Sequence, residues 1–429
     1  MAKTTSINLR NQIIYQVFPR QYSKTSDLEG VTKDLERIKA LGVDYIQLLP
    51  IHPIGVKERK GTIGSPYSIK DYREINKDYG TVDDFKALLN KAHRLGLKVI
   101  MDIVFNHTSR DSKLAQAHPE WFYHKQNGEF ANRVGDWSDI TDFKFEYPEL
   151  EKYLSDTLLY YVRMGVDGFR FDVASLVPYD FFAYTFPLLK KENPEIFLLA
   201  ESIHPGFCKY LRDLGFDAIS DSELYTLFDA EYEYDVNEYL QKYMKGECGI
   251  NEYLSRVEAE EAMYTKNYVK VRFIENHDFG TANSLLKDDL RLKNLLVLSY
   301  FCKGMAFLFN GIEVASRHLP NLFEVDPINW DEYNKSNIVD LILKLNEIKK
   351  RSVFANGVWN YHIITESLVT ISLENDEDCL LAVINLDHAS GMANVEVSGK
   401  FKNLLTENMI SIDKYLDISE EPMILLKCK

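Results

Sequence analysis

Four short stretches of the sequence turn from apolar to polar within a few residues, and the polar residues are types that carry acid–base chemistry. They are Asp102-Ile-Val-Phe-Asn106-His107, Gly168-Phe-Arg170-Phe-Asp172, Leu198-Leu-Ala-Glu201-Ser202 and Phe273-Ile-Glu-Asn276-His277-Asp278. Two residues apart on one strand, Arg170 and Asp172 point to the same side. A guanidinium so near is expected to hold Asp172 ionised and oriented, as a carboxylate nucleophile requires. Glu201 follows apolar residues, where desolvation raises a carboxyl pKa and keeps the proton that a general acid donates. Carboxyls on adjacent strand ends can stand roughly 5 Å apart, the separation used for glycoside cleavage with retention. Asp278 is expected to face this pair from across the site, with His107 and His277 as neutral donors for hydroxyl groups. Taken singly, each residue has an ordinary reading: a lone strand-end Asp is more often a cap or an ion-pair partner, and a lone His a satisfied structural one. The coincidence of four polar strand ends, two of them Asn-His, carries the chemical reading.

These residues need a scaffold that brings strand ends together. Short β-branched or aromatic runs alternate with amphipathic stretches along the chain. The expected strands are Ile13–Pro19, Tyr45–Pro50, Lys98–Phe105, Gly168–Val173, Ile196–Ser202, Ala218–Ser220, Val269–Asn276 and Met305–Asn310. Between them lie helical patterns such as Val82–Leu95, with Phe85, Leu88, Leu89 and Ala92 on one face, and Glu149–Met164, bounded by Tyr147-Pro148 and Gly165. Eight strands in such alternation predict an α/β fold, a closed (β/α)8 TIM barrel whose strand C-termini carry the chemistry. A doubly wound open sheet is the alternative, disfavoured because no glycine-rich phosphate turn follows the first strand. The barrel is expected over residues 1–107 and 148–352. Residues 108–147 lack a helix period and read as an insertion. From residue 353 the pattern changes to that of a small C-terminal β-sandwich domain, with Leu368–Leu373 and Leu380–Leu386 as strands.

Composition bounds the partners. A net charge of −15 leaves no cationic surplus to release counterions, which argues against nucleic acid. No run of 18 apolar residues exists, so no membrane span is expected. Five scattered cysteines without a C-x-x-C spacing suggest neither zinc nor a disulfide framework. With no apolar segment of secretory type after Met1, the expected setting is cytoplasmic. Oligomeric state is left open.

The four stretches, in this order, resemble the sequence motifs of the α-amylase family of glycoside hydrolases. Ile14-Tyr-Gln-Val-Phe-Pro-Arg20, Tyr67-Ser-Ile-Lys-Asp71-Tyr72 and Phe309-Asn-Gly-Ile-Glu313 extend the likeness over about residues 12 to 330. The resemblance implies Asp172 as nucleophile, Glu201 as acid/base and Asp278 as the residue that grips sugar hydroxyls and favours the distorted transition state. It implies substrate binding by Tyr67, His107, Arg170 and His277 around the reacting glucose, with Asp102 among them. It implies an α-glucan or maltooligosaccharide substrate, cleaved at α-1,4 links with retention. The runners-up are transfer to another acceptor, as by a 4-α-glucanotransferase or a sucrose phosphorylase, and action on α-1,6 links. A non-catalytic, glycan-binding barrel is disfavoured because all three carboxylates are present.

Some positions depart from the pattern. Gly64 stands where exo-acting, isomaltase-like members carry an Asp, which suggests an open cleft for longer chains. Val173 resembles α-1,6-preferring members. Asn106 and Asp142 match positions that bind a structural calcium in many members, but Leu176 replaces a histidine ligand of that site. No cofactor is required on this reading, and the resemblance allows a calcium without demanding it.

Overall fold

A computed structural model describes residues 5–428. In chain order the strands are β1 (Ile13–Val17), β2 (Tyr45–Leu48), β3 (Lys98–Ile103), β4 (His107–Ser109), β5 (Ile140–Asp142), β6 (Gly168–Phe171), β7 (Phe197–Ala200), β8 (Ala230–Tyr232), β9 (Lys270–Arg272) and β10 (Met305–Phe309). Six more follow: β11 (Val358–Thr365), β12 (Leu368–Glu374), β13 (Cys379–Asn385), β14 (Gly391–Asn403), β15 (Met409–Ile418) and β16 (Met423–Lys427). Eight of them close a parallel barrel in the order β1-β10-β9-β8-β7-β6-β3-β2. Ile14, Ile100, Leu199, Val271, Phe273 and Phe307 are among the side chains that fill its interior, so the barrel is a packed core rather than a pore.

Helices cover the outside because their apolar stripes match the outward strand residues. Val82–Arg94 buries the four residues whose spacing predicted it, and begins in a capping box between Thr81 and Asp84. Pro148–Met164 starts with proline in its first turn and ends on Gly165, whose φ of 110° is left-handed. The strands are shorter at their C-terminal ends than expected, since the residues that turn polar leave the sheet to become loops.

The sixth strand is a correction. Expected at Ala218–Ser220, it is Ala230–Tyr232 instead. Ala218 is apolar because it packs in a satellite cluster with Val173, Ile203 and Leu211, Ile219 because it joins the main core, and Ser220 then caps a short helix. The true strand reads Ala-Glu-Tyr, followed by Glu233. Ala230 and Tyr232 point into the barrel, while Glu231 and Glu233 face outward among the helices, fully buried. There they meet cations of β9: Lys270 lies 3.5 Å from Glu231, and Arg272 lies 3.0 Å from Glu233. Asp221, Asp235 and Glu260 complete this buried ionic layer.

Residues 108–147 contain the β4–β5 pair and a short helix, Lys113–Ala117. The strands expected to make a C-terminal sandwich form one connected antiparallel sheet, β11-β12-β13-β16-β14-β15. One face joins the main core through Val369, Ile371 and Ala382, and the other encloses its own cluster around Leu381, Phe401 and Leu425. No helix among the described residues is long and apolar enough to cross a membrane. The five cysteines are unpaired.

Candidate active site

Strand register does the first positioning. Asp102 on β3 and Arg170 on β6 are register partners. Beyond the sheet proper, Asp172 N–H donates to the Ile103 carbonyl and Glu201 N–H to the Phe171 carbonyl, so both carboxyl residues extend their strands in register. The result is a single buried guanidinium among three carboxylates. Arg170 Nη1 donates to Asp102 Oδ1 at 2.8 Å and to Asp172 Oδ1 at 3.0 Å. Its Nη2 lies 2.8 Å from Glu201 Oε1, an ion pair without hydrogen-bond alignment. The rings of Tyr67 and Tyr232 flank the cation at 5.6 and 5.4 Å.

Desolvation dominates the electrostatics. Burial pushes the Glu201 carboxyl up to about 7 against the pull of Arg170. Burial and the nearby Glu201 also push Asp172 up, with Arg170 opposing. Sequence reasoning gave Arg170 to Asp172 alone. In the fold it is divided among three carboxylates, so Asp172 and Glu201 titrate as a pair that readily holds one proton between them. Burial raises Asp102 to about 6, again against Arg170. His107 and His277 are driven by burial down to about 4, which leaves both neutral near pH 7. Asp278 behaves oppositely. Burial would raise it, but His277, the Tyr234 hydroxyl and Arg170 outweigh that and hold it below the usual carboxylate range.

Asp172, Glu201, Asp278, Tyr67 and His107 line one pocket of about 400 Å³. Arg170, Asp102 and His277 support it from behind. Tyr67 donates to Asp102 Oδ2 at 3.0 Å, its hydroxyl lies 2.6 Å from His277 Nε2, and the two rings stack at 5.4 Å. A larger open cleft of about 1070 Å³, bordered by Tyr123, Tyr179 and Phe216, contains none of the three carboxylates. The smaller pocket is therefore where the chemical groups converge.

Several lining residues were not found by sequence reasoning. Tyr234 donates to Asp278 Oδ2 at 2.6 Å and accepts from Asn276 Nδ2 at 3.0 Å, while its ring stacks on His204 at 5.6 Å. It follows β8, the strand that was misplaced. Its signal was the Glu-x-Glu of β8 facing the Lys-x-Arg of β9, a charge alternation rather than an apolar run. Trp137 and Asp139 come from the inserted segment, and Lys60 and Phe323 from other loops. Lys60 ties two walls together, 3.4 Å from Asp139 and donating to the Asp136 carbonyl at 3.3 Å.

Two departures noted in the sequence have backbone explanations. Gly64 has φ 95°, and a Cβ there would stand 2.9 Å from Ile54 Cγ2, so the position takes glycine whatever the substrate. Val173 is left-handed at φ 36°, uncommon for a β-branched residue, and its N–H reaches Glu201 Oε2 at 2.6 Å. Asn106 and Asp142 lie apart from the pocket, at the junction of the inserted segment with the barrel, where both contact Arg133.

The geometry agrees with what comparison finds. The family described as alpha amylase, catalytic domain, matches residues 16–120. The crystal structure of an α-amylase from Lactobacillus plantarum is 41% identical, covers 99% of this chain with 100% of its own, and superposes with a TM-score of 0.94. A maltogenic α-amylase from Thermotoga neapolitana is 30% identical, with 98% of this chain and 99% of that one covered and a TM-score of 0.87. Among curated proteins, an α-1,4-glucan:maltose-1-phosphate maltosyltransferase from Bifidobacterium longum is 26% identical over 95% of this chain. The chain spans 58% of that protein's length.

Proposed function

The chain belongs to the α-amylase family of glycoside hydrolases, and from that premise we propose that it cleaves α-1,4 links in maltodextrin- or glycogen-type glucans with retention of configuration. The observation that carries this reading is the contact of one guanidinium, Arg170, with both Asp172 and Glu201 at the wall of one pocket. In the first step Glu201 gives its proton to the glycosidic oxygen as the bond from that oxygen to the anomeric carbon breaks. A carboxylate oxygen of Asp172 bonds to the same carbon, and the leaving chain departs as an alcohol. Glu201, now ionised, takes a proton from water. The water oxygen bonds to the anomeric carbon and Asp172 is released. Asp278, which accepts from the Tyr234 hydroxyl, grips the sugar hydroxyls and neutral His107 donates to them, while neutral His277 backs the pocket through Tyr67. Unpaired thiols fit a cytoplasmic setting.

A second reading, transfer of the glycosyl group to an acceptor other than water, is favoured by the transferase named among the relatives. Both share the first step and differ in what intercepts the intermediate. Chromatography of products from maltoheptaose, with and without added glucose or phosphate, separates them. Hydrolysis yields only shorter oligosaccharides whatever is added. Products longer than the substrate, or a sugar phosphate, would replace the hydrolase reading with the transferase one.

A further inference from the structure

Three oxygens from three separate parts of the chain converge on the side chain of Arg133. Its Nε donates to Asp142 Oδ2 at 2.9 Å, its Nη1 to the Leu176 carbonyl at 3.2 Å, and its Nη2 to Asn106 Oδ1. The Arg133 backbone N–H adds a second bond to Asp142 Oδ2 at 2.8 Å. Asp142 is fully buried, the Arg133 side chain is 9% exposed, and the guanidinium lies 5.7 Å from the ring centre of Tyr123.

Asn106 and Asp142 are the positions at which resemblance allowed a calcium, and the residues present do not fit one. Calcium takes six to eight oxygens at short range. Only one carboxylate stands here, its charge is matched by one guanidinium, and each of the three oxygens already accepts from it. A divalent ion would have to displace a buried, forked donor set or sit beside its positive charge. Among the described residues, no group of three or more His, Cys, Asp or Glu could hold a metal elsewhere.

We propose that Arg133 is the built-in cation of this junction, standing in place of a calcium and positioning the active site from outside it. Its three partners show how. Asn106 directly precedes β4 and, with its Oδ1 held by Arg133, turns its amide towards His107 Nδ1 at 3.0 Å, which puts the ring proton on Nε2. Leu176 lies in the short turn that follows Asp172 and Val173. Asp142 ends β5, which pairs with β4 at His107. One side chain thus fixes the inserted segment to the two strand ends that present His107 and Asp172.

The test is chelation and chemical rescue on the full chain. The wild-type protein is expected to keep its thermal midpoint and its activity on maltoheptaose in EDTA, and to show no heat of calcium binding at millimolar concentration. Arg133→Ala is expected to lower the midpoint by several degrees and kcat by about 10- to 100-fold, the size of effect that misplaced catalytic groups produce. Millimolar guanidinium or calcium chloride is expected to restore part of both. A wild-type midpoint that falls in EDTA and returns with calcium would overturn the proposal. So would an Arg133→Ala deficit untouched by either cation, or the absence of a deficit. If Arg133→Ala does not fold, the wild-type chelation and calorimetry still decide, and neither depends on the reaction proposed above.

Discussion

The backbone N–H of Val173 donates to Glu201 Oε2 across 2.6 Å, and Val173 adopts φ 36°, ψ 49° in doing so. A non-glycine residue held in the left-handed region costs on the order of 1–3 kcal/mol, and such strain persists where surrounding structure over-determines it. Here the residue directly after Asp172 spends that strain on orienting the carboxyl of Glu201, so the two carboxyl groups proposed as nucleophile and acid are locked through one peptide unit.

Because burial holds Glu201 up to about 7, the pH profile of kcat/KM has an assigned alkaline limb. The active form is the protonated acid, so activity falls as pH rises through about 7 and the proton is lost. Glu201→Gln is expected to lose activity on the order of 10²- to 10⁴-fold on substrates with poor leaving groups. On an activated aryl glycoside, which leaves without protonation, the bond-breaking step of this variant should no longer show that limb. A limb unchanged in Glu201→Gln would assign it to another group.

Tyr234→Phe tests the support of Asp278. The variant keeps the ring stacked on His204 and removes only the hydroxyl that donates at 2.6 Å. A hydrogen bond to a charged group contributes about 1.5–3 kcal/mol, so kcat is expected to fall about 10- to 100-fold. The fall should lie mainly in kcat, since Asp278 is assigned to the distorted transition state. A change within twofold would mean that Asp278 is held without this residue.

Arg272→Met probes the buried ionic layer behind β8 and β9. It strands Glu233 and Glu260, both buried against that guanidinium, and a broken buried pair typically costs about 3–5 kcal/mol. Burial already raises Glu260 to about 8 with Arg272 present. A carboxyl raised in the fold binds its proton there before the unfolded chain does, so folding stability rises as pH falls from that value towards the ordinary glutamate range. Denaturant unfolding should therefore show a loss that shrinks in mild acid. A small, pH-independent loss would contradict this account of the layer.

What the sequence disclosed depended on whether a residue's physical role leaves a local pattern. Asp172, Glu201 and Asp278 were legible because each lies where an apolar stretch turns polar, and Arg170 because it shares a strand face with Asp172. The barrel was legible from seven of its strands. The sixth, β8, was not, because Glu231 and Glu233 are buried by pairing with Lys270 and Arg272 rather than by being apolar. Tyr234 was lost with it. Arg133 left no signal, since its partners Asn106, Asp142 and Leu176 come from separate stretches that only the fold unites. The division of Arg170 among three carboxylates was invisible for the same reason: Asp102 and Glu201 reach it only through barrel register.

The central claim is that Asp172 forms a covalent bond to the anomeric carbon, and trapping that species tests it most directly. A fluorinated α-glucosyl fluoride, whose ring fluorine slows breakdown of the glycosyl-enzyme more than its formation, is incubated with the protein, followed by proteolysis and mass spectrometry. The expected result is a single fluoroglucosyl group on the peptide that contains Asp172, absent in Asp172→Asn. Attachment to any other residue, or turnover of the probe by Asp172→Asn at the wild-type rate, would contradict the assignment.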